Sequence, residues 1–274
     1  MSGWRLSLRQ APAVRVDVRG VLPAALAGLS AAQVGQVRVG HGNALVPLAE
    51  FFTDQPDGND DTLVFDGDLS RFDRVGWQMA GGRITVNGPA GHYAGGCMSG
   101  GELSVKGSVG LLAACEMAGG SLTVEGDAGD FAASTLPGSM DGMRGGQLVV
   151  HGNAGNRLAD RMRRGTVVVH GSVGDFAASR MVAGTVAIAG GCGAHPAWGM
   201  RRGSLVLATH DEQQRPQPSA TFVPAVADAA VFWQLLARDL AQHGGAFAGL
   251  PARPMRRWLG DLATDGKGEM IFPQ

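Results

Sequence analysis

Two consecutive stretches decide the fold: MRGGQLVVHGNAGNRLADR (143–161) and MRRGTVVVHGSVGDFAASR (162–180). They align without a gap, methionine on methionine and glycine on glycine, with a period of 19 residues. The same unit runs outward in both directions. One glycine series is Gly82, Gly101, Gly120, Gly146, Gly165, Gly184 and Gly203; a second is Gly88, Gly107, Gly126, Gly152, Gly171 and Gly190. Met79, Met98, Met117, Met143, Met162, Met181 and Met200 keep step with them, so most of the 11 methionines share one repeat position. The one longer gap, from Met117 to Met143, is a unit plus an insertion around Pro137–Asp141. A fixed period of this size is the signature of a repeat architecture.

Each unit carries a short alternating segment, such as Ile84-Thr85-Val86, Leu122-Thr123-Val124 or Val167-Val168-Val169. Period-two alternation of β-branched residues between glycines reads as a strand. Helical solenoids are excluded by the shortness of the segments and their glycines. Parallel strands from successive units need a crossover, and the rest of the unit supplies it. The expected fold is mainly β: a right-handed parallel β-helix of about seven 19-residue glycine-rich coils, stacked at ~4.8 Å. Hexapeptide coils do not divide into 19, and GGxGxD calcium coils and leucine-rich repeats are absent.

Stacking converts repeat positions into columns. The methionines form an internal column, as do Val86, Val105, Val124, Val150, Val169, Ile188 and Leu207; an internal place argues against a copper role for the methionine sulfurs. Ala114, Ala133, Ala159, Ala178 and Ala197 mark close wall contact. The G-x-x-G glycines serve corners that need positive φ or tight approach. One outward column changes character: Thr85, Ser104 and Thr123 are polar, whereas Val149, Val168, Ala187 and Val206 are not. The later units are therefore expected to be covered on that face.

The expected domains are an N-terminal capping region (1–61), the repeats (62–208), and a linker, amphipathic helix and tail (209–274). WRLSLRQ and VRVDVRG alternate as strands, Ser30–Gln36 reads as a short capped helix, and 63–79 as a degenerate first coil. The polar linker spans 209–220, and Ala225–Gln242 reads as a helix stopped by Gly244-Gly245. Glycine, 44 of 274 residues, far exceeds the usual ~7%. A net charge of -1 argues against a generic nucleic-acid binder. Three scattered cysteines, no apolar leader and no long apolar span lead to an expected cytoplasmic protein.

No nucleophile elbow, P-loop or HExxH motif is present, so no catalytic residue is assigned. A polysaccharide enzyme would need facing acids and more aromatics than Tyr93, Phe131, Phe176 and Trp198. His151 and His170 share a repeat position and should stack ~5 Å apart, but no third ligand column accompanies them, so no metal site is assigned. Cys97 and Cys115 read as reduced structural thiols. The arginines are the notable cluster: Arg144, Arg163 and Arg201 follow the methionine, Arg164 and Arg202 come next, and Arg157, Arg161 and Arg180 lie nearby. Arg144 and Arg163 should be neighbours. Stacked like charges destabilise a sheet unless neutralised, either by Asp130, Asp141, Asp160 and Asp175, by an acidic partner, or by an anionic ligand.

The 19-residue glycine coil resembles the C subunit of formylmethanofuran dehydrogenase, whose β-helix is shared with the glutamate synthase C-terminal domain. The pattern around Gly42-Asn43 and Phe51-Phe52 is similar too, as is RRWLGDLATDGKGEMIF (256–272) with its GD and GKGE elements. The lysine-poor composition places the chain nearest the bacterial formyltransferase/hydrolase version. The resemblance implies a non-catalytic subunit of a complex that passes a formyl group from a tetrahydromethanopterin carrier to a methanofuran-type carrier and hydrolyses it to formate. It implies as partners an amidohydrolase-like A subunit holding zinc, a B subunit, a formyltransferase subunit, no nucleic acid and no membrane. It also suggests an anion for the eight arginines, the polyglutamate tail of the carrier. The alternative it implies is the C subunit of a redox-active molybdenum or tungsten dehydrogenase.

Overall fold

A computed structural model describes residues 3–209, 211, 213, 215–226 and 229–274. The repeat segments form the strands of one parallel ladder. Thr62–Asp66, Arg83–Asn87, Ser99–Val105, Gly119–Val124, Arg144–Val150, Arg164–Val169, Thr185–Ile188 and Ser204–Leu207 follow one another across the sheet in chain order. Register follows the repeat: Leu103 opposes Leu122, Leu122 opposes Leu148, and Leu148 opposes Val167. The seven-residue insertion therefore leaves the ladder in step. A second line of parallel bridges joins Leu69, Ala90, Val109, Ala128, Ala154, Val173 and Cys192, one per unit. A third line of backbone bonds runs from Tyr93 N–H to the Leu111 carbonyl, Leu112 to Asp130, Phe131 to Asn156, Arg157 to Asp175 and Phe176 to Ala194. Each unit is thus hydrogen-bonded to the next along three sides.

The interior is the expected set of columns. Every methionine from Met79 to Met200 in the repeat series is fully buried, as are Val86, Val105, Val124, Val150, Val169, Ile188 and Leu207. Burial of such a side chain stabilises by roughly 1.5–3 kcal/mol, and the columns deliver it once per unit.

The corners separate two jobs that glycine does. A Cβ on Gly107 would come within 2.6 Å of the Pro89 nitrogen, so the G-x-x-G glycines serve tight approach. Positive φ belongs to the other series, for example Gly146 at 79° and Gly165 at 100°. Left-handed backbone also falls on residues with side chains. Arg157, Ala159 and Arg161 have φ of 57°, 57° and 58°, and Phe176, Ala178 and Arg180 repeat the pattern. Each costs on the order of 1 kcal/mol, against which stand the bonds to adjacent units and the buried alanine column.

The ladder outlasts the sequence repeat. Gly268–Pro273 pairs parallel with Ser204–Leu207 as its next strand and antiparallel with Met255–Gly260, which pairs with Val223–Pro224. At the other end Trp4–Leu8 pairs parallel with Thr62–Asp66, and Phe52–Pro56 closes that edge antiparallel. Ala44–Pro47, Arg38–His41, Val16–Asp17 and Phe72–Asp73 form a second sheet. The short helix Ala31–Gly35 starts after Ser30, whose N–H donates to the Gln33 side chain at 2.9 Å.

The C-terminal helix spans Ala230–Ala241 and starts later than the expected Ala225, whose N–H instead donates to the Arg257 carbonyl beside the strand pair. Parts of the expected linker and of the helix's expected first turn (210, 212, 214, 227 and 228) lie outside the described residues. The helix covers the later units as expected: Val149, Val168, Ala187 and Val206 pack with Trp233, Ala237, Leu240, Phe247 and Leu250 in a second apolar cluster. Gly244, with φ of 71°, turns the chain after it. The stack thus has an interior core and, on its later half only, an outer one.

Candidate functional site

The insertion that interrupts the repeat also builds the site. It carries Met140 and Asp141 out beside the following units. There Met140 borders a groove of about 570 Å³ with Arg161, Arg163, Arg180, Arg201 and Trp198. Asp261 and Thr264 close it from the C-terminal side. A larger groove, about 810 Å³, lies between the C-terminal helix and Met255–Gly260. It holds none of the arginines that the repeat pattern singles out.

The structure divides those eight arginines into three settings. Four share the groove. Of these, Arg163 is ion-paired with Asp141 and Arg180 with Asp160. Asp160 is buried and also accepts from the Ser179 hydroxyl at 2.8 Å. Arg161 lies 2.8 Å from the Met140 sulfur. Arg161 and Arg201 make no ion pair among the described residues. Arg157 sits apart, between two aromatic rings, 5.9 Å from the centre of Phe131 and 4.9 Å from that of Phe176; Phe176 in turn stacks on His195 at 5.0 Å. Arg144, Arg164 and Arg202 form the third group, exposed at or just before the start of their strands. The ladder sets Arg144 opposite Arg164 through a register shift, in place of the expected Arg144–Arg163 pairing, and Arg144 has Glu116 at 3.9 Å.

The expected neutralising acids divide as well. Asp141 and Asp160 pair with arginine, but Asp130 and Asp175 cap backbone. Asp130 accepts from the Asn156 N–H at 2.7 Å and Asp175 from the Ala194 N–H at 2.8 Å, and the Asn156 side chain accepts from the Asp175 N–H between them. A parallel ladder runs Ser108, Asp127, Asn153, Ser172, each side chain receiving an N–H of the next unit. The signal for both ladders was in the sequence, since Ser, Asp or Asn follows glycine at the repeat spacing. Such side chains satisfy backbone groups that tight corners leave over.

His151 and His170 stack as their shared position predicts, 4.8 Å apart and 11° from parallel. Among the described residues no three His, Cys, Asp or Glu side chains are placed to hold a metal. Burial pushes the Cys192 thiol up to about 12 and the Cys115 thiol further, while Cys97 is raised by burial and by the nearby Glu116. These thiols are protonated and poorly nucleophilic at neutral pH. No helix among the described residues is long and apolar enough to cross a membrane.

Known proteins share this geometry. No family model matches the chain. A stretch of 77 residues, 28% of the chain and 29% of the relative, is 42% identical to the C subunit of the formyltransferase/hydrolase complex Fhc of Methylorubrum extorquens. Another, covering 35% of the chain and 37% of the relative, is 32% identical to the C subunit of tungsten-containing formylmethanofuran dehydrogenase 2 of Methanothermobacter wolfeii. These alignments span only about a third of the curated relatives' own length. A solved structure extends the likeness: the formyltransferase/hydrolase complex (FhcABCD) of Methylorubrum extorquens, in complex with methylofuran. One of its chains superposes with a TM-score of 0.90 and 41% identity over 98% of this chain and 99% of that one. The chain belongs to the C-subunit family of these complexes.

The GD and GKGE elements that resemble that family lie where the stack closes. Asp261 is buried and accepts from the Gly199 and Ala263 N–H groups, both at 3.0 Å. Burial alone would raise its pKa, but the Thr221 hydroxyl and those two N–H groups hold the carboxyl below its ordinary range. Glu269 accepts from the Ser204 hydroxyl at 2.6 Å and pairs with Arg257 at 3.2 Å, tying the last strand to the last repeat. In this member of the C-subunit family both C-terminal elements are structural parts, and the turn that begins at Asp261 also walls the arginine groove.

Proposed function

We propose that the chain is a non-catalytic scaffold of a formyltransferase/hydrolase complex, working in the cytoplasm. Its three ladders close as a right-handed parallel β-helix of about seven coils, flanked by the capping region 1–61 and the C-terminal region 209–274. In this reading the formyl group passes from a tetrahydromethanopterin carrier to a methanofuran-type carrier and is then hydrolysed to formate. The chemistry belongs to a zinc-holding, amidohydrolase-like A subunit, together with a formyltransferase subunit; a B subunit, without an assigned step, completes the assembly. The observation that carries the assignment is the end-to-end superposition on a chain of the formyltransferase/hydrolase complex. The redox alternative, with molybdenum or tungsten in a partner, draws on the weaker likeness to the tungsten dehydrogenase.

In this reading the arginine groove takes the polyglutamate tail of the carrier; that the related complex was solved with methylofuran is compatible with a carrier in the assembly. Arg163 and Arg180 are already paired, which leaves Arg161 and Arg201 to meet carboxylates, with Arg144, Arg157, Arg164 and Arg202 outside the groove. Guanidinium–carboxylate pairs are directional and charge-assisted. The tagged chain, purified from its host, is expected to bring down an amidohydrolase and a formyltransferase. Recovery with a redox-active formate dehydrogenase would move the assignment to the alternative, and a chain that elutes alone would remove the scaffold role. Replacing Arg161 and Arg201 by Gln should weaken carrier retention by the complex, more than replacing Arg163 and Arg164. Unchanged retention in both would sink the tail-binding role.

A further inference from the structure

Three histidines meet where the C-terminal helix ends on the outer face of the sheet. His151 and His170 follow the strands Arg144–Val150 and Arg164–Val169, and their rings stack at 4.8 Å. The His170 ring is closed on its other side by Phe247, 5.3 Å away at 77°, and by the backbone of Gly245. Its Nε2 is shielded from solvent and has no hydrogen-bond partner. His243 follows the helix and lies with its Nε2 3.2 Å from the side-chain nitrogen of Gln147.

Each contact suits a neutral ring. Protonating both nitrogens of His170 would put one N–H of the half-buried cation at the shielded Nε2, where no acceptor stands, which is costly. Stacked imidazolium rings repel. The Gln147 amide nitrogen donates to His243 Nε2 in this arrangement, and a proton on that nitrogen would require the amide to turn over. The charged groups around the cluster do not relieve this. On the sheet, Lys106 pairs with Glu125 at 3.6 Å, and Glu125 lies 4.0 Å from His151 Nε2. Glu125 thus stands beside His151 and not beside His170, and a charge on His151 opposes protonation of His170. On the helix, Asp239 favours a charged His243. It is outweighed by burial and helped by none of the sheet residues. Burial, then the His151 and His243 charges, hold His170 below its ordinary value; burial also lowers His243.

We propose that residues 243–250 form a proton-sensitive clasp: His170, stacked on His151, and His243 hold the segment on the sheet when neutral and release it when protonated. Because the folded rings resist protonation, the clasp's contribution is complete above the ordinary histidine range, ~6.5, and is lost as the pH falls through the lower folded values. Phe247 and Leu250 leave with the segment, which uncovers part of the apolar column that ends in Val149 and Val168. Acidification would thus change the surface of the later units alone. The clasp does not depend on the complex to which the chain belongs.

The test is amide hydrogen exchange of the full chain at pH 7.5 and pH 5.5, each corrected for the intrinsic chemical rate. Protection over 243–250 should fall several-fold from pH 7.5 to pH 5.5. Protection over 84–86 and 103–105 should hold. His170→Leu, which keeps the contact with Phe247, should lessen the fall, and His170→Leu combined with His243→Gln, which removes both titrating rings, should abolish it. An equal loss everywhere, no loss, or an undiminished loss in the double variant would overturn the clasp. Should these variants not fold, the imidazole titration of the unmodified chain decides. Midpoints of His170 and His243 below ~6.5 support the clasp; midpoints at or above it refute it.

Discussion

The earlier and later units of the stack share a backbone but not an exterior. At the outward position of the strand, Thr85, Ser104 and Thr123 face water, partly exposed, while Val149, Val168, Ala187 and Val206 are sealed under the C-terminal helix. The corners differ in the same sense. At one corner position the earlier units carry Cys115 and Ser134, and the later ones Asp160 and Ser179, with Asp160 anchoring Arg180 in the groove. A repeat that is uniform inside is thus free to vary outside. One half of the stack gains a second core and a charged groove, and the other remains a plain wall.

The outward column is where this contrast is most exposed to disproof. Val168→Asp places a carboxylate between Val149 and Ala187 under the helix and should cost about 4 kcal/mol, whereas Ser104→Asp should stay within about 0.5 kcal/mol. Urea titration of both variants checks this, and similar losses would mean the later face is not sealed. Trp233 is next: it is buried and donates from its ring nitrogen to the Arg253 carbonyl at 2.8 Å. Trp233→Ala should lose about 3 kcal/mol and raise hydrogen exchange in the later strands only. Asp160→Ala leaves the half-exposed Arg180 without its partner and should cost about 2 kcal/mol. Cys115→Ala, the matching position, should cost about 1 kcal/mol by the same titration.

The smallest effect is one of pH. Asp66, on the first repeat strand, is held below the ordinary carboxylate range by the Asn87 side chain and then by Arg5. Its contribution is present above that range and is lost as the pH falls through the lower folded value. The earlier end should therefore loosen only below about pH 4, after the histidine clasp of the later end has opened. Acid titration followed by exchange should show that order, and Asp66→Asn should remove the lower step.

The columns were readable because units that stack in register turn sequence period into spatial rows. Methionines 19 residues apart need no further information to become one line of core, and the loss of polarity after Thr123 announced the cover on the later face. The corners were less readable. Left-handed backbone at Arg157, Ala159 and Arg161 is imposed by contact with adjacent units, and no glycine marks it. The arginines misled for a related reason. Repeat position places Cα atoms, but long side chains go where partners are. Asp141, carried in by an insertion outside the period, draws Arg163 into the groove, and Phe131 and Phe176 draw Arg157 away. The strand Gly268–Pro273 continues the ladder without sharing the glycine pattern that defines it.

The scaffold role is tested most directly by reconstitution. The purified partner subunits would be mixed with and without this chain, then measured for co-elution and for release of formate from the formylated carrier. A scaffold is required for the full assembly and its activity, and the chain alone should release no formate. Formate release by the isolated chain, or full assembly and activity without it, would contradict the scaffold role.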